Sequence, residues 1–295
     1  MSTAAAQQRE QVVNEAIREI SHIATLPEIT LKIVELVENP KSTAQDLHKV
    51  ISNDPALCTR ILKVVNSSFY GLPGQIGSIN RAIVMLGLNA VKNIAIAASL
   101  AKLFRGGDLT PNFSAKSLWT HSVITAATAK MLSDRIGLSV SDEAFLSGLM
   151  HDIGIMVEMQ WDRARLIEVI QKLGADSSGV PAADMATIEQ DVLGANHQHF
   201  GAGLCGKWKF PGNFAMVTGF HHRPLEAPVE ARTLPAVVYV ADRLAAETGQ
   251  GFRLDLANLD INPDVMELLK LTGNDLNSFR QEMPERLKSV ESMLN

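Results

Sequence analysis

Apolar residues recur along this chain at helical rather than strand spacing. Ile29, Ile33, Leu36 and Val37 follow a period of about 3.6, and the run stops at Asn39-Pro40. Ser42 with Gln45 three residues later predicts a capping box that opens a short helix through Val50. Asp54-Pro55 predicts the next start. Aspartate caps, and proline occupies a first position that needs no N–H. Leu57, Ile61, Leu62 and Val65 then line one face, and Asn66-Ser67-Ser68 ends the helix in a turn. Ser78 caps Ile79–Leu86, and an apolar helix covers Val91–Phe104.

The run Arg105-Gly106-Gly107-Asp108-Leu109-Thr110-Pro111 interrupts this pattern and predicts a loop between two regions, 1–110 and 111–295. Helices are expected after it at about Ser117–Arg135, Asp142–Val157, Trp161–Leu173, Ala183–Leu193, His199–Lys207, Pro211–His221 and Pro235–Thr248. Two more are expected near Pro263–Leu271 and Asp275–Leu294. No run alternates apolar and polar positions as a half-buried strand does. The expected class is all-α, in irregular helix layers.

Composition narrows the function. With 295 residues and 46% hydrophobic residues the chain can bury a large core and is not intrinsically disordered. Lys+Arg 27 against Asp+Glu 32 gives a net charge of −5, which argues against nucleic acid or an anionic membrane as partner. The most apolar window, Ala82–Phe104, is interrupted by Asn89, Lys92, Asn93 and Lys102, so it reads as a buried helix rather than a span. The N-terminus lacks a signal-peptide pattern. Cys58 and Cys205 form no disulfide framework, and the cytoplasm is the expected compartment.

The histidines carry the chemistry. Six of the eight, His121, His151, His197, His199, His221 and His222, fall within one stretch of about a hundred residues. His151-Asp152 lies in Phe145-Leu-Ser-Gly-Leu-Met-His-Asp-Ile-Gly154, among apolar neighbours. Buried imidazole and carboxylate need partners there. His121, His197, His221-His222 and Asp242 lie on other apolar segments. Together they can converge on a divalent ion, for which Zn, Fe, Ni or Mn suits better than Ca or Mg. Such an ion can activate water toward a phosphate ester. The same residues can instead satisfy one another as a metal-free hydrogen-bonded network. His199, His22 and His48 read as peripheral or solvated, Arg81 as either solvated or paired with a carboxylate across the lobes, and Trp119, Trp161 and Trp208 as core.

His121, His151-Asp152 and Asp242 resemble the H…HD…D pattern of the HD phosphohydrolase superfamily. His197 and His221-His222 resemble the five-histidine, two-metal version found in HD-GYP proteins. Longer motifs are more specific. Leu26-Pro-Glu-Ile-Thr30, Ile51–Ser67, Ser78–Gly87, Gly148–Gly154 and Gly194–Gly201, followed by Trp208 and Pro211, look like the HDOD family over roughly residues 20 to 225. That resemblance implies a helical N-terminal lobe packed on an HD-like helical lobe. It also implies a regulatory role in bacterial signal transduction, through a protein partner or a small signalling ligand, with many members non-catalytic. The alternative it carries is a metal-dependent phosphohydrolase acting on a nucleotide or phosphoester. Asp152 or Asp242 would then orient water, and Arg223 would hold phosphate.

Two departures weigh against cyclic-dinucleotide hydrolysis. HD-GYP enzymes place lysine after His-Asp-x-Gly, where this chain has Ile155. They continue His-His-Glu into Gly-Tyr-Pro, where this chain reads His221-His222-Arg223-Pro224-Leu225-Glu226.

Overall fold

The computed structural model describes residues 3–20, 26–104 and 107–288. His22, Arg105, Gly106 and the expected helix end near Leu294 lie outside them. The elements, in order, are α1 (Thr3–Glu19), α2 (Glu28–Glu38), α3 (Ala44–Ser52), α4 (Pro55–Val65), α5 (Ile79–Leu86) and α6 (Leu88–Leu100). A short ribbon follows, β1 (Asp108–Thr110) and β2 (Phe113–Ser114). Then come α7 (Ala115–Arg135), α8 (Ser141–Met150), α9 (Ile153–Trp161), α10 (Arg163–Lys172), α11 (Met185–Leu193), α12 (His197–Lys207) and α13 (Gly212–Phe220). The last three are α14 (Thr233–Glu247), α15 (Pro263–Leu269) and α16 (Gly273–Leu287).

The all-α expectation holds except for that ribbon. Its strands pair antiparallel, Asp108 opposite Ser114 and Thr110 opposite Phe113. Two short strands with two residue pairs are too little to give an alternating pattern, so the predicted loop hides a hairpin. Among the described residues, no helix is long and apolar enough to cross a membrane.

Local signals place most helix starts. Asp54 accepts from the Leu57 N–H at 2.9 Å, as expected of a cap before proline. Asn66 closes α4 as expected of a structural residue. Its amide donates to the Leu62 and Ile76 carbonyls, and its Oδ1 accepts from the Ile76 N–H at 2.7 Å. The capping box of α3 uses Thr43 and Asp46, one residue beyond the Ser42/Gln45 pair expected. Ser42 serves elsewhere. Its hydroxyl donates to the Leu36 carbonyl and accepts from Lys92 Nζ at 2.6 Å, tying α2 to α6. Helix α1 has too polar a sequence to be expected on periodicity. It forms because Val13, Ala16 and Ile17, with Ile20 just after the helix, make one narrow buried face, seated on α12 at Gly203.

The core positions the chemistry. Helix α7 packs against α8 and α14, α12 packs against α9 and α13, and α6 joins α2 and α4 to α8. The expected single helix Asp142–Val157 is broken in two. Its backbone leaves helical geometry at Asp152 (φ −98°, ψ 14°) and restarts at Ile153. In one unbroken helix, adjacent side chains would diverge by about 100°. The break brings His151 and Asp152 to the same point.

Glycine at 154 permits the crossing that follows. A Cβ there would lie 1.9 Å from the His197 carbonyl oxygen, so only a bare α-carbon lets α9 meet the start of α12. Gly206, on the open side of α12, has nothing within 4 Å of its Cβ position.

Three substitutions test these contacts by stability. Gly154→Ala should cost about 3 kcal/mol or more in urea unfolding, since backbone must move to relieve the overlap. Gly206→Ala should be neutral or stabilising by about 0.5 kcal/mol. Asn66→Ala, which removes three bonds at a partly exposed position, should cost about 1–2 kcal/mol in the same assay.

Candidate metal centre

All seven side chains expected at the site converge. His121 comes from α7, His151 from the residue after α8, and Asp152 from the residue before α9. His197 is the first residue of α12, His221 and His222 follow α13, and Asp242 lies within α14. Except for His222, which is part-exposed, none has measurable solvent exposure.

Their ligand atoms fall into adjoining groups. His121, His151 and Asp242 form one, and Asp152, His197, His221 and His222 another, each with atoms within 4.8 Å of one another. Asp152 links the two. Its Oδ2 lies 3.1 Å from His151 Nε2, and its Oδ1 lies 3.4 Å from His221 Nε2. Asp242 Oδ1 lies 2.9 Å from His121 Nε2 and 3.7 Å from His151 Nε2.

The backbone and one carboxylate fix which nitrogen faces inward. His151 Nδ1 donates to the Gly148 carbonyl at 2.7 Å. His221 Nδ1 donates to the Thr218 carbonyl at 3.1 Å. His197 Nδ1 donates to Glu189 Oε2 at 2.7 Å, and Glu189 also accepts the His197 backbone N–H at 3.0 Å. With Nδ1 committed as donor, a neutral ring presents a bare Nε2 lone pair to the centre.

Those lone pairs meet acceptors. His151 Nε2, His221 Nε2, both oxygens of Asp152 and Asp242 Oδ2 are buried without an aligned hydrogen-bond partner, despite the short separations. His197 Nε2 and His222 Nε2 lie 3.0 Å apart. Lone pairs crowded in a dry space repel unless a proton or a cation stands among them. Inward-facing imidazole Nε2 and carboxylate oxygens, with outer nitrogens anchored, are the donors a divalent transition ion takes. The residues fit such an ion.

The protonation tendencies show the same demand for positive charge. Burial disfavours a charged His151, yet Asp152 and Asp242 outweigh it and hold the ring well above its ordinary range. Burial likewise opposes ionised Asp152 and Asp242, but their histidine neighbours keep both well below the usual carboxylate range. His197 rises to about 9 against burial because Glu189 stands beside it. Burial, with His221 and His197 beside it, pushes His222 well down.

Three acids at the site escape a reading based on histidine spacing. Glu189 anchors His197. Glu158 on α9 is fully buried with neither oxygen hydrogen-bonded, and its carboxyl is pushed well up by burial and by Glu189. Asp255, in the segment after α14, lies 3.7 Å from His222 Nε2. Glu189 had a signal: Met185, Glu189 and Leu193 share the buried face of α11 at fourfold spacing. His199 takes no part in the cluster. It shares a capping box with Asn196, and burial and then Arg9 hold its ring down at about 4. A pocket of about 440 Å³ opens beside the cluster, lined among others by Asn196, Gln198, His222, Arg223 and Asp255.

The fold and motifs have counterparts. An HDOD domain protein of unknown function from Geobacter sulfurreducens superposes with a TM-score of 0.73 at 20% identity, over 95% of this chain and 99% of that one. A Shewanella amazonensis SB2B protein named a candidate phosphohydrolase gives 0.74 at 21%, over 96% and 98%. A Marinobacter aquaeolei VT8 protein named a candidate signal transduction protein gives 0.75 at 21%, over 98% and 66%. These likenesses establish the fold. An uncharacterized Treponema pallidum (strain Nichols) protein is 28% identical over 224 residues, 76% of this chain and 42% of that protein, so the chain spans less than half the length of that relative. The profile of the HDOD domain matches residues 23–224, more than half of the chain. With the motifs and helical architecture in place, the chain belongs to the HDOD domain family.

Proposed function

We propose that this chain is a regulatory module of bacterial signal transduction whose HD-type centre holds divalent metal without efficient hydrolysis. The carrying observation is Ile155. It lies in the first turn of α9, fully buried in apolar packing. No cation can reach a phosphate from there, where a hydrolytic HD-GYP site would have lysine. Of the arginines at the pocket, Arg243 is already engaged: it bonds the Asp260 and Tyr239 carbonyls and stacks 3.5 Å from the Tyr239 ring centroid.

His121, His151, Asp152, Asp242, His197, His221 and His222 would hold Fe, Mn, Ni or Zn. In this reading the ion contributes a Lewis-acid charge, and the helices gathered around it form one rigid body. The fitting partner is a protein or a small signalling ligand in the cytoplasm, not nucleic acid or a membrane. The net charge of −5 supports that choice.

A second reading, a phosphohydrolase acting on a nucleotide or phosphoester, draws on the pocket. Arg223 has its guanidinium close to Gln198 and Glu226 at the pocket's edge. In this reading it binds phosphate at the pocket, and Asp152 or Asp242 is the carboxylate that would orient water.

Protein purified without chelator is expected to carry Fe, Mn, Ni or Zn by elemental analysis, and to lose thermal stability when that metal is stripped. The loaded protein should turn over neither cyclic dinucleotides nor p-nitrophenyl phosphate. Metal-dependent turnover above about 1 s⁻¹ that vanishes in Asp152→Ala would establish the second reading instead. Glu189→Ala frees the His197 ring to rotate, so metal affinity in a chelator competition should fall about 10- to 100-fold.

A further inference from the structure

Asp255 lies outside the family motifs and outside the matched residues 23–224. It is 5% exposed, and neither of its side-chain oxygens has a hydrogen-bond partner. An ionised carboxylate in that state is costly to bury. Among the described residues its one basic neighbour in ion-pair range is His222 Nε2 at 3.7 Å, a weakly placed base rather than a committed cation. Arg243, the nearby guanidinium, is spent on the Asp260 and Tyr239 carbonyls. The ligand atoms of His222, Asp242 and Asp255 all lie within 4.8 Å of one another.

The segment that carries Asp255 is held firmly against the helix that carries His121. Gly251 has a left-handed backbone (φ +85°), and a Cβ there would meet the His121 nitrogen at 2.7 Å and the Ser117 oxygen at 2.8 Å. The Phe252 N–H donates to the Ser117 carbonyl at 3.0 Å. Phe252 sets its ring edge to face with Phe113 at 5.5 Å, and Leu254 and Leu256 are buried on either side of Asp255. Burial of the flanking leucines leaves the Asp255 carboxylate fixed beside His222 and the pocket.

The structure assigns Asp255 as a further metal ligand. With His222 and Asp242, which it shares with the HD-type centre, it completes a divalent-cation position on the pocket side, and Asp255 is the ligand that comes from beyond the HD pattern. One imidazole and two carboxylates suit Mn, Fe or Zn, and three protein ligands leave positions open toward the pocket. This assignment rests on the reading of the centre as a metal holder.

Metal-stripped wild type, Asp255→Asn and Asp255→Glu would each be titrated with Mn²⁺, desalted and assayed for bound metal per chain. Wild type is expected to retain more Mn²⁺ per chain than Asp255→Asn, by one equivalent or by at least a tenfold weaker last site. Asp255→Glu, which keeps the carboxylate, should recover part of the loss. Equal stoichiometry and affinity in wild type and Asp255→Asn would overturn the assignment and leave the metal-holding centre standing. A wild type that binds no Mn²⁺, Fe²⁺ or Zn²⁺ would overturn both. A wild-type crystal soaked in Mn²⁺ gives a check independent of variant folding. An anomalous peak within about 2.5 Å of an Asp255 oxygen is expected. Peaks confined to the other residues of the centre would reject Asp255 as a ligand.

Discussion

Five carboxyl groups, Asp152, Glu158, Glu189, Asp242 and Asp255, are buried together in a helical core. Among the described residues, the closest lysine or arginine contact to any of them is Arg243 Nη1, 4.0 Å from Asp242. Negative charge in so dry a space must be neutralised by a proton or by a cation. The histidines meet part of that demand, and burial pushes the Glu158 and Asp255 carboxyls well up, toward their protonated forms. A divalent ion meets it more completely, because it can accept the lone pairs that otherwise confront one another across the centre.

The helical frame is arranged around this constraint. The break at Asp152 turns two consecutive side chains to one point. Gly154 lets α12 arrive close enough for its first residue, His197, to join them. Backbone carbonyls at Gly148 and Thr218 take the outer nitrogens of His151 and His221, and Glu189 takes that of His197. None of these devices concerns a substrate. They fix ring orientation, which any cation at the centre needs whether or not hydrolysis follows.

In the proposed reading, holding an ion and cleaving a phosphoester separate in this chain. Ligand geometry is preserved in detail, down to the tautomer imposed on each anchored histidine. Support for a transferring phosphate is thinner, because Ile155 is packed into the core and Arg243 is engaged with carbonyls and an aromatic ring. That balance fits a fold retained for its rigidity and its pocket.

Much of this was legible in the sequence by itself. Helical periodicity gave the class. Asp54-Pro55 and Ser78 marked helix starts, Asn66 an end, and the His-Asp motifs named seven residues that meet. Local patterns suffice there because a cap or an apolar stripe depends on neighbours a few residues away. Tertiary structure decided the rest. It broke the Asp142–Val157 helix, moved the α3 capping box by one residue so that Ser42 could reach Lys92, and seated the polar helix α1 on α12. It also placed Asp152 between the two ligand groups and brought in Glu158, Glu189 and Asp255. Spacing shows that an acid lies on an apolar face. Only the packing of distant helices determines which lone pair it meets, since that depends on approach distances set by glycines and side-chain volumes far apart in the chain.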